Sequence, residues 1–576
     1  MEIYKNFDLA LYVTAPFLKN TDLGKIEKKL NSLEKHLNID KVYLETHRGA
    51  NDIDLPEMEQ VKKLFQEHDI QTSGGITPTL GQNEFEDKPE RIMNVFCYTD
   101  KRMKNRIKEI SERTASLFDE FILDDFFFTN CTCSICRSHK GNRSWAEFRT
   151  ELMADVSKEL IIDPAKKINS AVKVIIKYPN WIESYQNIGY NTELQPDIFD
   201  AVYTGTETRN PGHTRQHLPK YAGYSLMRWM ENTAPGENAG GWFDSINCIY
   251  NIGSYLEQAY MTLFAGGREL TLFNFSSMAD SVFVPPLGHK LSELDTICGE
   301  LDAPRGVPVY IPHHSRGEDH LYDFLGMSGF PVEPVSSYPG KANIKLLTSS
   351  SAHDNEVISK IKNDLTEKNS TVILTSGFLN LMQDQGLEEL LSVRYTDKKI
   401  AAERFGIQSK GCGYQNTING SEKILFPVLD YSRNDNWPLI AAMQGDNALP
   451  FLLKSKYGQG ELQVLAVPDN YSDIYHLPSE VLNELRKLWS KEQGIYLEGE
   501  SQVSLFLYDN NRLIVESFLT YDINVQLHLE KNNVKLKDLI KDKIIRGHQK
   551  IKNKSKKTIF DIDIEPGTYR CFKIIG

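Results

Sequence analysis

The chain has 576 residues, more than one hydrophobic core normally serves, so two to four domains are expected. Hydrophobic residues make up 40% of the sequence and charged residues 25%, as in ordinary soluble globular proteins. The net charge of −12 argues against a general nucleic-acid-binding protein, and no apolar run has the length of a membrane span. The N-terminus lacks the apolar core of a signal peptide, which predicts a cytoplasmic protein, or a periplasmic one if a signal has been removed.

Strand and helix patterns alternate through the first half of the chain. Eight strands and their helices over roughly 300 residues match the count and length of a (β/α)8 TIM barrel. We therefore predict a catalytic barrel at 1–303. Its predicted strands are 8–14, 41–45, 70–76, one beginning at 121, 172–177, 199–203, 224–230 and 270–274, and its main helices are 22–37, 56–68, 101–118, 144–160, 251–265 and 288–301.

The pattern restarts after Pro304. Predicted strands at 307–311, 344–347 and 371–375, with a helix near 354–367, indicate a second α/β unit with a small parallel sheet. This unit is predicted to span 304–495. From about 496 to 576 the sequence alternates in the manner of antiparallel strands, which predicts a small C-terminal β-sandwich-like domain.

Polar side chains at the ends of the predicted barrel strands are the candidate site. Chemistry in such barrels lies at the carboxyl ends of the strands. Carboxylates, aromatics and cations converging on one rim are typical of a sugar site. The candidates are Glu45, Arg48, Asp124, Asp125, Lys177, Trp181, Glu207, Arg209, Glu231 and Asn274.

Hydrolysis of a glycosidic bond needs one carboxylic acid at the leaving oxygen and a second carboxylate at the anomeric carbon or behind a water. Asp124 and Asp125 end the fourth strand, and alternation along a strand predicts that one of them faces the pocket. The pair could instead cap a turn or form surface salt bridges. The second carboxylate is predicted at Glu231, before a Gly-, Asn- and Pro-rich loop that carries Trp242. Glu207 is its rival, or a partner of Arg209 in an ion pair.

Half of the eight cysteines can form one metal set. Cys131, Cys133 and Cys136 have Cys-x-Cys-x2-Cys spacing in a predicted loop, and Cys97 precedes them. Four thiolates would close a tetrahedral shell around zinc, so the metal would be structural. Four separate buried thiols, or a redox pair, are the alternatives.

One stretch resembles a known family. Met230-Glu231-Asn-Thr-Ala-Pro235-Gly236 followed by Trp242 is similar to the nucleophile loop of the family 42 glycoside hydrolases, the microbial β-galactosidases of clan A. The cysteine spacing is similar to that family's zinc cluster. The resemblance implies Glu231 as nucleophile, Asp125 as acid/base and Asp124 as a ligand of the sugar's 2-hydroxyl. It also implies a flavodoxin-like second domain that forms trimers.

The chain departs from that family at two places. Asp124-Asp125 stands where the family has Asn-Glu, and the stretch after Asn274 lacks the Glu that helps to hold galactose. The sequence thus predicts an exo-acting, retaining hydrolase of a β-galactoside-like terminal sugar, with an oligosaccharide or glycoside substrate, structural Zn²⁺ and a homotrimer. The alternatives are an inverting or atypical glycosidase that pairs Asp124 or Asp125 with Glu207, and a non-catalytic carbohydrate-binding barrel.

Overall fold

The structure is a computed structural model that describes residues 3–82, 84–85, 89–408, 413–552 and 555–576. Its contacts divide the chain into two compact units, Met1–Gly299 and Glu300–Gly576. Within the described ranges, no helix is both long enough and apolar enough to cross a membrane. The division of the second unit near residue 495 stays a prediction.

The first unit is a closed barrel of eight parallel strands. Each strand pairs with its neighbour in the chain, and the first pairs in parallel with both the second and the last, which closes the sheet. The predicted (β/α)8 barrel is therefore confirmed. Its strands are β1 (Asp8–Val13), β2 (Lys41–Gly49), β3 (Gln71–Leu80), β4 (Glu120–Leu123), β5 (Lys173–Tyr178), β6 (Ala201–Gly205), β7 (Asn238–Asp244) and β8 (Glu269–Phe273).

Helices follow most of these strands, and several of them begin at side-chain caps. The Asp100 carboxylate accepts hydrogen bonds from the backbone N–H groups of Arg102 and Met103, and Ser144 with Glu147 forms a capping box. The helices are α1 (Ala15–Lys19), α2 (Leu23–Leu33), α3 (Leu55–Gln66), α4 (Lys101–Leu117), α5 (Ser134–Lys140), α6 (Trp145–Val156), α7 (Asp163–Ile168), α8 (Tyr185–Ile188), α9 (Ala222–Thr233), α10 (Ile252–Phe264), α11 (Phe275–Met278) and α12 (Val284–Cys298).

The prediction of a strand at 224–230 is wrong. This run forms most of α9, and every residue in it is buried. A helix buried on all sides has no polar stripe, so its sequence reads as a continuous apolar run. The seventh strand is β7, whose two glycines lower its strand propensity. A Cβ added to Gly240 would overlap the carbonyl of Glu269, so close strand packing requires a glycine there.

Aromatic side chains from four strands, β1, β2, β6 and β7, pack in the barrel interior. Tyr12, Tyr43, Tyr203 and Trp242 pack there in one buried cluster. The tyrosine hydroxyls of Tyr43 and Tyr203 both donate to Glu269 at the start of β8, at 2.7 and 3.0 Å. The interior is therefore a packed core with its polar ends satisfied, and the open end lies at the carboxyl termini of the strands.

The second unit begins with an α/β sheet. Five parallel strands run in the order β11-β10-β12-β13-β18, which is the 2-1-3-4-5 order of flavodoxin-like folds, and four antiparallel strands extend it through β17, β16, β14 and β15. These strands are β10 (Val307–Tyr310), β11 (Val332–Val335), β12 (Ile344–Leu347), β13 (Thr371–Thr375), β14 (Val393–Gln408), β15 (Tyr414–Tyr431), β16 (Asn436–Gln444), β17 (Asn447–Tyr457) and β18 (Gly460–Leu465), with helices α13 (Leu321–Met327), α14 (Val357–Glu367), α15 (Ser376–Met382) and α16 (Ser479–Trp489).

Two antiparallel sheets complete this unit, and their apolar side chains share one core. The sheet orders are β9-β20-β21-β27-β23-β24 and β19-β22-β26-β25. The predicted antiparallel β-structure is thereby confirmed. The strands are β9 (Pro304–Arg305), β19 (Ile495–Glu498), β20 (Val503–Tyr508), β21 (Arg512–Ser517), β22 (Ile523–Leu529), β23 (Lys535–Asp538), β24 (Lys543–Arg546), β25 (His548–Lys552), β26 (Ser555–Ile564) and β27 (Tyr569–Ile575).

Candidate active site

Lys177, near the end of β5, lies at the centre of a cluster of carboxylates. Its Nζ atom is 2.9 Å from Asp125 Oδ2, 3.1 Å from Glu207 Oε1 and 3.7 Å from Asp124 Oδ1. The side chain is 1% exposed, and the ammonium also lies 4.4 Å from the ring centre of Trp242. One buried cation therefore holds together the ends of strands β4, β5 and β6. We call Asp124, Asp125, Lys177 and Glu207 the carboxylate cluster.

Both aspartates of the cluster point inward, contrary to the alternation that predicted one. β4 ends at Leu123, and the chain turns at once, because the Phe126 N–H donates to the Asp124 carbonyl at 2.7 Å. The backbone N–H of Asp125 also donates to Asp124 Oδ1 at 2.8 Å. Strand alternation does not apply beyond the strand, so both carboxylates reach Lys177.

Asp124 is held from strands β2 and β3. Arg48 Nη2 donates to Asp124 Oδ2 at 2.8 Å, and the Thr77 hydroxyl hydrogen-bonds the same oxygen at 2.9 Å. Glu45 in turn accepts from Arg48 Nε at 2.9 Å and from the Tyr12 hydroxyl at 2.8 Å. Glu45 is completely buried, so in this structure it positions Arg48 and does not face the solvent.

The two aspartates have opposite pKa shifts. Burial raises the pKa of Asp125 to about 7; Lys177 opposes this, while the negative charges of Asp124 and Glu207 add to it. Burial also disfavours charge on Asp124, but Lys177 and Arg48 outweigh it and hold the pKa of Asp124 below its usual value. Two neighbouring carboxyls with separated pKa values can serve as a proton donor and a fixed anion.

Glu207 follows β6, and only one of its carboxylate oxygens contacts Lys177. Its Oε1 contacts Lys177, whereas its Oε2 is buried without a hydrogen-bond partner in the described part of the chain. Asn180 Nδ2 donates to the Glu207 carbonyl at 2.6 Å and so fixes the backbone. Gly205 makes room for this side chain, because a Cβ there would lie 2.5 Å from Oε2.

The contacts with Lys177 limit the separation of the two carboxylates. Asp125 Oδ2 and Glu207 Oε1 lie 2.9 and 3.1 Å from the same Nζ atom, so these oxygens are no farther apart than the sum of the two distances. That limit of about 6 Å applies to the two oxygens that contact Lys177. It is compatible with the spacing of about 5–5.5 Å in retaining enzymes.

Asp244, at the end of β7, is a site residue that the sequence analysis missed. It is buried, and Arg209 donates to it through Nε and Nη2 at 3.0 and 2.7 Å. Arg209 itself has a φ of 58°, a strained value for a residue other than glycine. The run Gly240–Asp244 is an apolar stretch that stops at a carboxylate, as in β4, and that signal could have identified it. The predicted alternative pair of Arg209 with Glu207 is replaced by a pair with Asp244.

The prediction that Glu231 ends a barrel strand is wrong. Glu231 lies near the end of helix α9, before β7 begins, and its carboxylate pairs with Arg268 at 3.1 Å. Arg268 immediately precedes β8, so both residues lie at the amino-terminal end of the strands. The carboxylate cluster is at the opposite end. The loop that resembles a nucleophile loop is therefore a helix-to-strand connection, and the structure does not bring Glu231 to Asp125.

Two other predicted binding residues, Trp242 and Asn274, have different positions. Trp242 is not on a loop: it lies in β7, is 2% exposed and packs against Tyr12 inside the barrel. Asn274 follows β8, where its side chain caps α11 by accepting from the Ser277 N–H at 3.1 Å. Trp181 follows β5 as predicted, four residues after Lys177, and lines a cavity with Phe126 and Phe128.

The four predicted metal ligands lie together. The Sγ atoms of Cys97, Cys131, Cys133 and Cys136 are all within 4.8 Å of one another, and all four residues are buried. Cys97 Sγ is 3.8 Å from Cys133 Sγ and 3.6 Å from Cys136 Sγ. Tetrahedral zinc with Zn–S bonds of about 2.3 Å places its sulfurs about 3.8 Å apart, so the donor set fits zinc.

A parallel barrel with carboxylates clustered at its strand ends is an architecture typical of glycoside hydrolases. The family model described as "Probable glycosyl hydrolase, catalytic domain" matches residues 1–288, half of the chain. The chain therefore belongs to this family of probable glycosyl hydrolases. A model of the "Probable glycosyl hydrolase, C-terminal domain" matches 494–574, and one of the second domain of the uncharacterized protein SSO3021 matches 303–470.

Known proteins extend the similarity over the whole chain. The uncharacterized protein SSO3021 of Saccharolobus solfataricus is 23% identical, over 95% of this chain and 96% of its own. A β-galactosidase from the Antarctic haloarchaeon Halorubrum lacusprofundi superposes with a TM-score of 0.61 at 11% identity, covering 98% of this chain and 99% of that one. The exo-β-1,4-mannosidase Op5Man5 from Opitutaceae bacterium strain TAV5 gives a TM-score of 0.51 at 10% identity, with 84% and 94% covered. At these identities the two structures establish a shared fold.

Proposed function

We propose that the protein is an exo-acting, retaining glycoside hydrolase in which Asp125 is the acid/base and Glu207 the nucleophile. The observation that carries the proposal is the bridge from Lys177 Nζ to both carboxylates, at 2.9 and 3.1 Å. It holds one oxygen from each of two groups on different strands within about 6 Å, which is compatible with retention. The proposal replaces Glu231 with Glu207, the rival carboxylate, and keeps Asp125.

The chemistry divides between the two groups according to their surroundings. Asp125, with its pKa raised to about 7, holds a proton that it can give to the leaving oxygen. A carboxylate oxygen of Glu207 can form a bond to the anomeric carbon as the bond to the leaving group breaks. Asp125, now ionised, then takes a proton from water, which attacks the anomeric carbon and releases Glu207. Lys177 stabilises whichever carboxylate is charged.

Asp244 is another carboxylate at a strand end, and its contacts make it the weaker nucleophile. Both of its oxygens accept from Arg209, and Oδ1 also accepts from the backbone N–H of Ile246 at 2.9 Å. Bonds to a cation lower the nucleophilicity of a carboxylate and fix its position. In the proposal, Asp244 positions Arg209 at the rim of the site.

The sugar is proposed to be a terminal β-linked hexose. The two structural neighbours are named a β-galactosidase and an exo-β-mannosidase, so β-galactosides and β-mannosides come first in a substrate panel. Membership of the family 42 enzymes is a weaker proposal, because the resemblance at Met230–Trp242 falls on a helix end away from the carboxylate cluster. Arg48, Lys177, Trp181 and Arg209 remain the proposed substrate-binding side chains.

The test compares two carboxylate variants on a panel of aryl glycosides. Glu207→Ala is expected to lower kcat by at least about a thousandfold, and added azide should restore turnover by forming a glycosyl azide. Glu231→Gln is the matched control and should retain normal kinetics. If Glu231→Gln loses activity while Glu207→Ala keeps normal activity, the assignment of Glu207 is overturned. Binding of sugars without cleavage of any glycoside would support the non-catalytic carbohydrate-binding alternative.

We also propose that the four-cysteine cluster holds a structural Zn²⁺. Its support is the spacing and burial of the thiols, which leave no place for a water ligand in a closed shell. The cluster ties Cys97, after β3, to the segment that follows Asp125, so it would hold the loop that carries the acid. The homotrimer and the location in the cell remain predictions from the sequence.

A further inference from the structure

A largely apolar cavity of about 500 Å³ lies among residues that follow strands β4 and β5. Phe126, Phe128 and Trp181 form its aromatic wall, and Ile92 and Met93 add an aliphatic side. The Phe128 and Trp181 rings meet edge to face with centroids 6.5 Å apart, which gives two fixed perpendicular surfaces. The volume is that of a pocket for a small organic ligand.

The cavity is attached to the catalytic groups through the chain itself. Phe126 directly follows Asp125, and Trp181 follows Lys177 by four residues, so the wall is built from the same two strand ends. The acid of a glycosidase stands at the leaving oxygen, and the departing group therefore lies on the side of the acid. This places the cavity where the leaving group, not the retained sugar, would sit.

The lining does not suit a second sugar. A sugar ring needs several hydrogen bonds for its hydroxyls, and among the described lining side chains Ser184 offers the one hydroxyl. A flat apolar ligand would fill the cavity against its aromatic wall.

Solvent exposure at the mouth also indicates a ligand. Ile92 and Met93 are 55% and 63% exposed, an unusual state for two adjacent large apolar side chains. An aromatic ring bound between them and Trp181 would remove this surface from water. The exposed apolar pair is thus explained by one occupant.

We infer that this cavity is a leaving-group subsite that selects glycosides of aromatic alcohols. The inference rests on the proposed function, because it assigns the cavity to the leaving-group side of Asp125. It names the substrate class as aryl glycosides, in which a phenolic oxygen links the sugar to an apolar ring. The retained sugar is read elsewhere, at the carboxylate cluster and Arg48.

The first test uses a sugar-free probe, para-trifluoromethylphenol, followed by fluorine NMR. The probe should bind the wild-type protein and the Trp145→Ala control, whose indole lies on α6 outside the cavity. Trp181→Ala should weaken binding by about tenfold, the value for losing contact with one aromatic side chain. Equal binding by Trp181→Ala and wild type, or no binding at all, would overturn the inference.

The second test uses non-cleavable thioglycosides of the sugar that the panel identifies. The phenyl thioglycoside should bind at least about tenfold more tightly than the methyl thioglycoside, and Trp181→Ala should remove this preference. Equal binding of the two in the wild type would contradict the subsite even if hydrolysis is normal. If the phenol binds through Trp181 but no glycoside binds or is cleaved, the cavity is confirmed as a site for an aromatic ring and the proposed hydrolase function is wrong.

Discussion

Replacing Lys177 with Met removes the charge at the centre of the site while keeping a side chain of similar length against Trp242. In the wild type the ammonium is 1% exposed and lies within 4.0 Å of three carboxylates. Breaking a buried ion pair from one side costs about 3–5 kcal/mol, because the remaining charge is left in a medium that solvates it poorly. Because Arg48 still pairs with Asp124, the variant mainly removes the stabilisation of the Asp125 and Glu207 carboxylates.

The pH dependence of this loss follows from the direction of the pKa shifts. Burial already raises the pKa of Asp125 to about 7, and without Lys177, which lowers it, the pKa rises further. A carboxyl whose pKa is raised on folding contributes stability below its unfolded pKa of about 4, and this stability is lost as the pH rises through the folded pKa. The variant should therefore be close to wild type near pH 4 and destabilised by about 3–5 kcal/mol near pH 8.

The assay is thermal unfolding of Lys177→Met and wild type across that pH range. Lys173→Met is the matched control, because Lys173 is exposed at the start of the same strand, and it should change stability by less than about 0.5 kcal/mol. In activity, both limbs of the pH profile of kcat/KM should move to higher pH by about one to three units. A loss of stability that does not depend on pH, or no loss of stability, would show that Lys177 does not stabilise the charged forms of Asp125 and Glu207.

Three further predictions concern individual parts of the site. Asp125→Asn should lower kcat/KM by about 10²–10⁴-fold for glycosides with poor leaving groups. In a pH–rate profile it should also remove the alkaline limb, which is expected near the pKa of about 7 to which burial raises Asp125. An unchanged limb would exclude Asp125 as the acid. Cys133→Ser should lose about one zinc per chain, measured by elemental analysis, and should lower the melting temperature first and the activity as a consequence. Cys248→Ser is the control and should retain the metal, because Cys248 is a buried thiol outside the cluster. A metal-free wild type of normal stability would contradict the zinc site. Arg209→Gln should destabilise the barrel by about 3–5 kcal/mol, and adding Asp244→Asn should recover part of this in a double-mutant cycle; additive losses would show that the pair is not coupled.

Most of the barrel could be predicted from the sequence, because seven of its strands are short apolar runs between helices of ordinary amphipathic pattern. The seventh strand could not, for two physical reasons. Helix α9 is buried on every side and reads like a strand, and β7 contains glycines that the packing requires and that strand propensity disfavours. One misplaced strand moved the expected nucleophile from the site to Glu231.

The candidate site was predicted as a set of strand ends, and its internal contacts were not. Asp125, Lys177 and Glu207 come together because three neighbouring strands end at one rim, which the barrel implies. The choice between Glu207 and Glu231 depended on the position of the seventh strand. Asp244 lies at the end of that strand, so it was missed as well. The inward turn of both aspartates depends on hydrogen bonds beyond the end of β4, where no sequence period applies.

The assignment of Glu207 as nucleophile is tested most directly by trapping the glycosyl-enzyme. A glycoside with fluorine beside the anomeric carbon and a good leaving group forms this intermediate faster than it is hydrolysed. Digestion and mass spectrometry then locate the sugar on one peptide. If Glu207 is the nucleophile, we expect one sugar per chain, bonded to Glu207. A sugar bonded to Asp125, Glu231 or Asp244, or a product released with inverted anomeric configuration and no adduct, would contradict it.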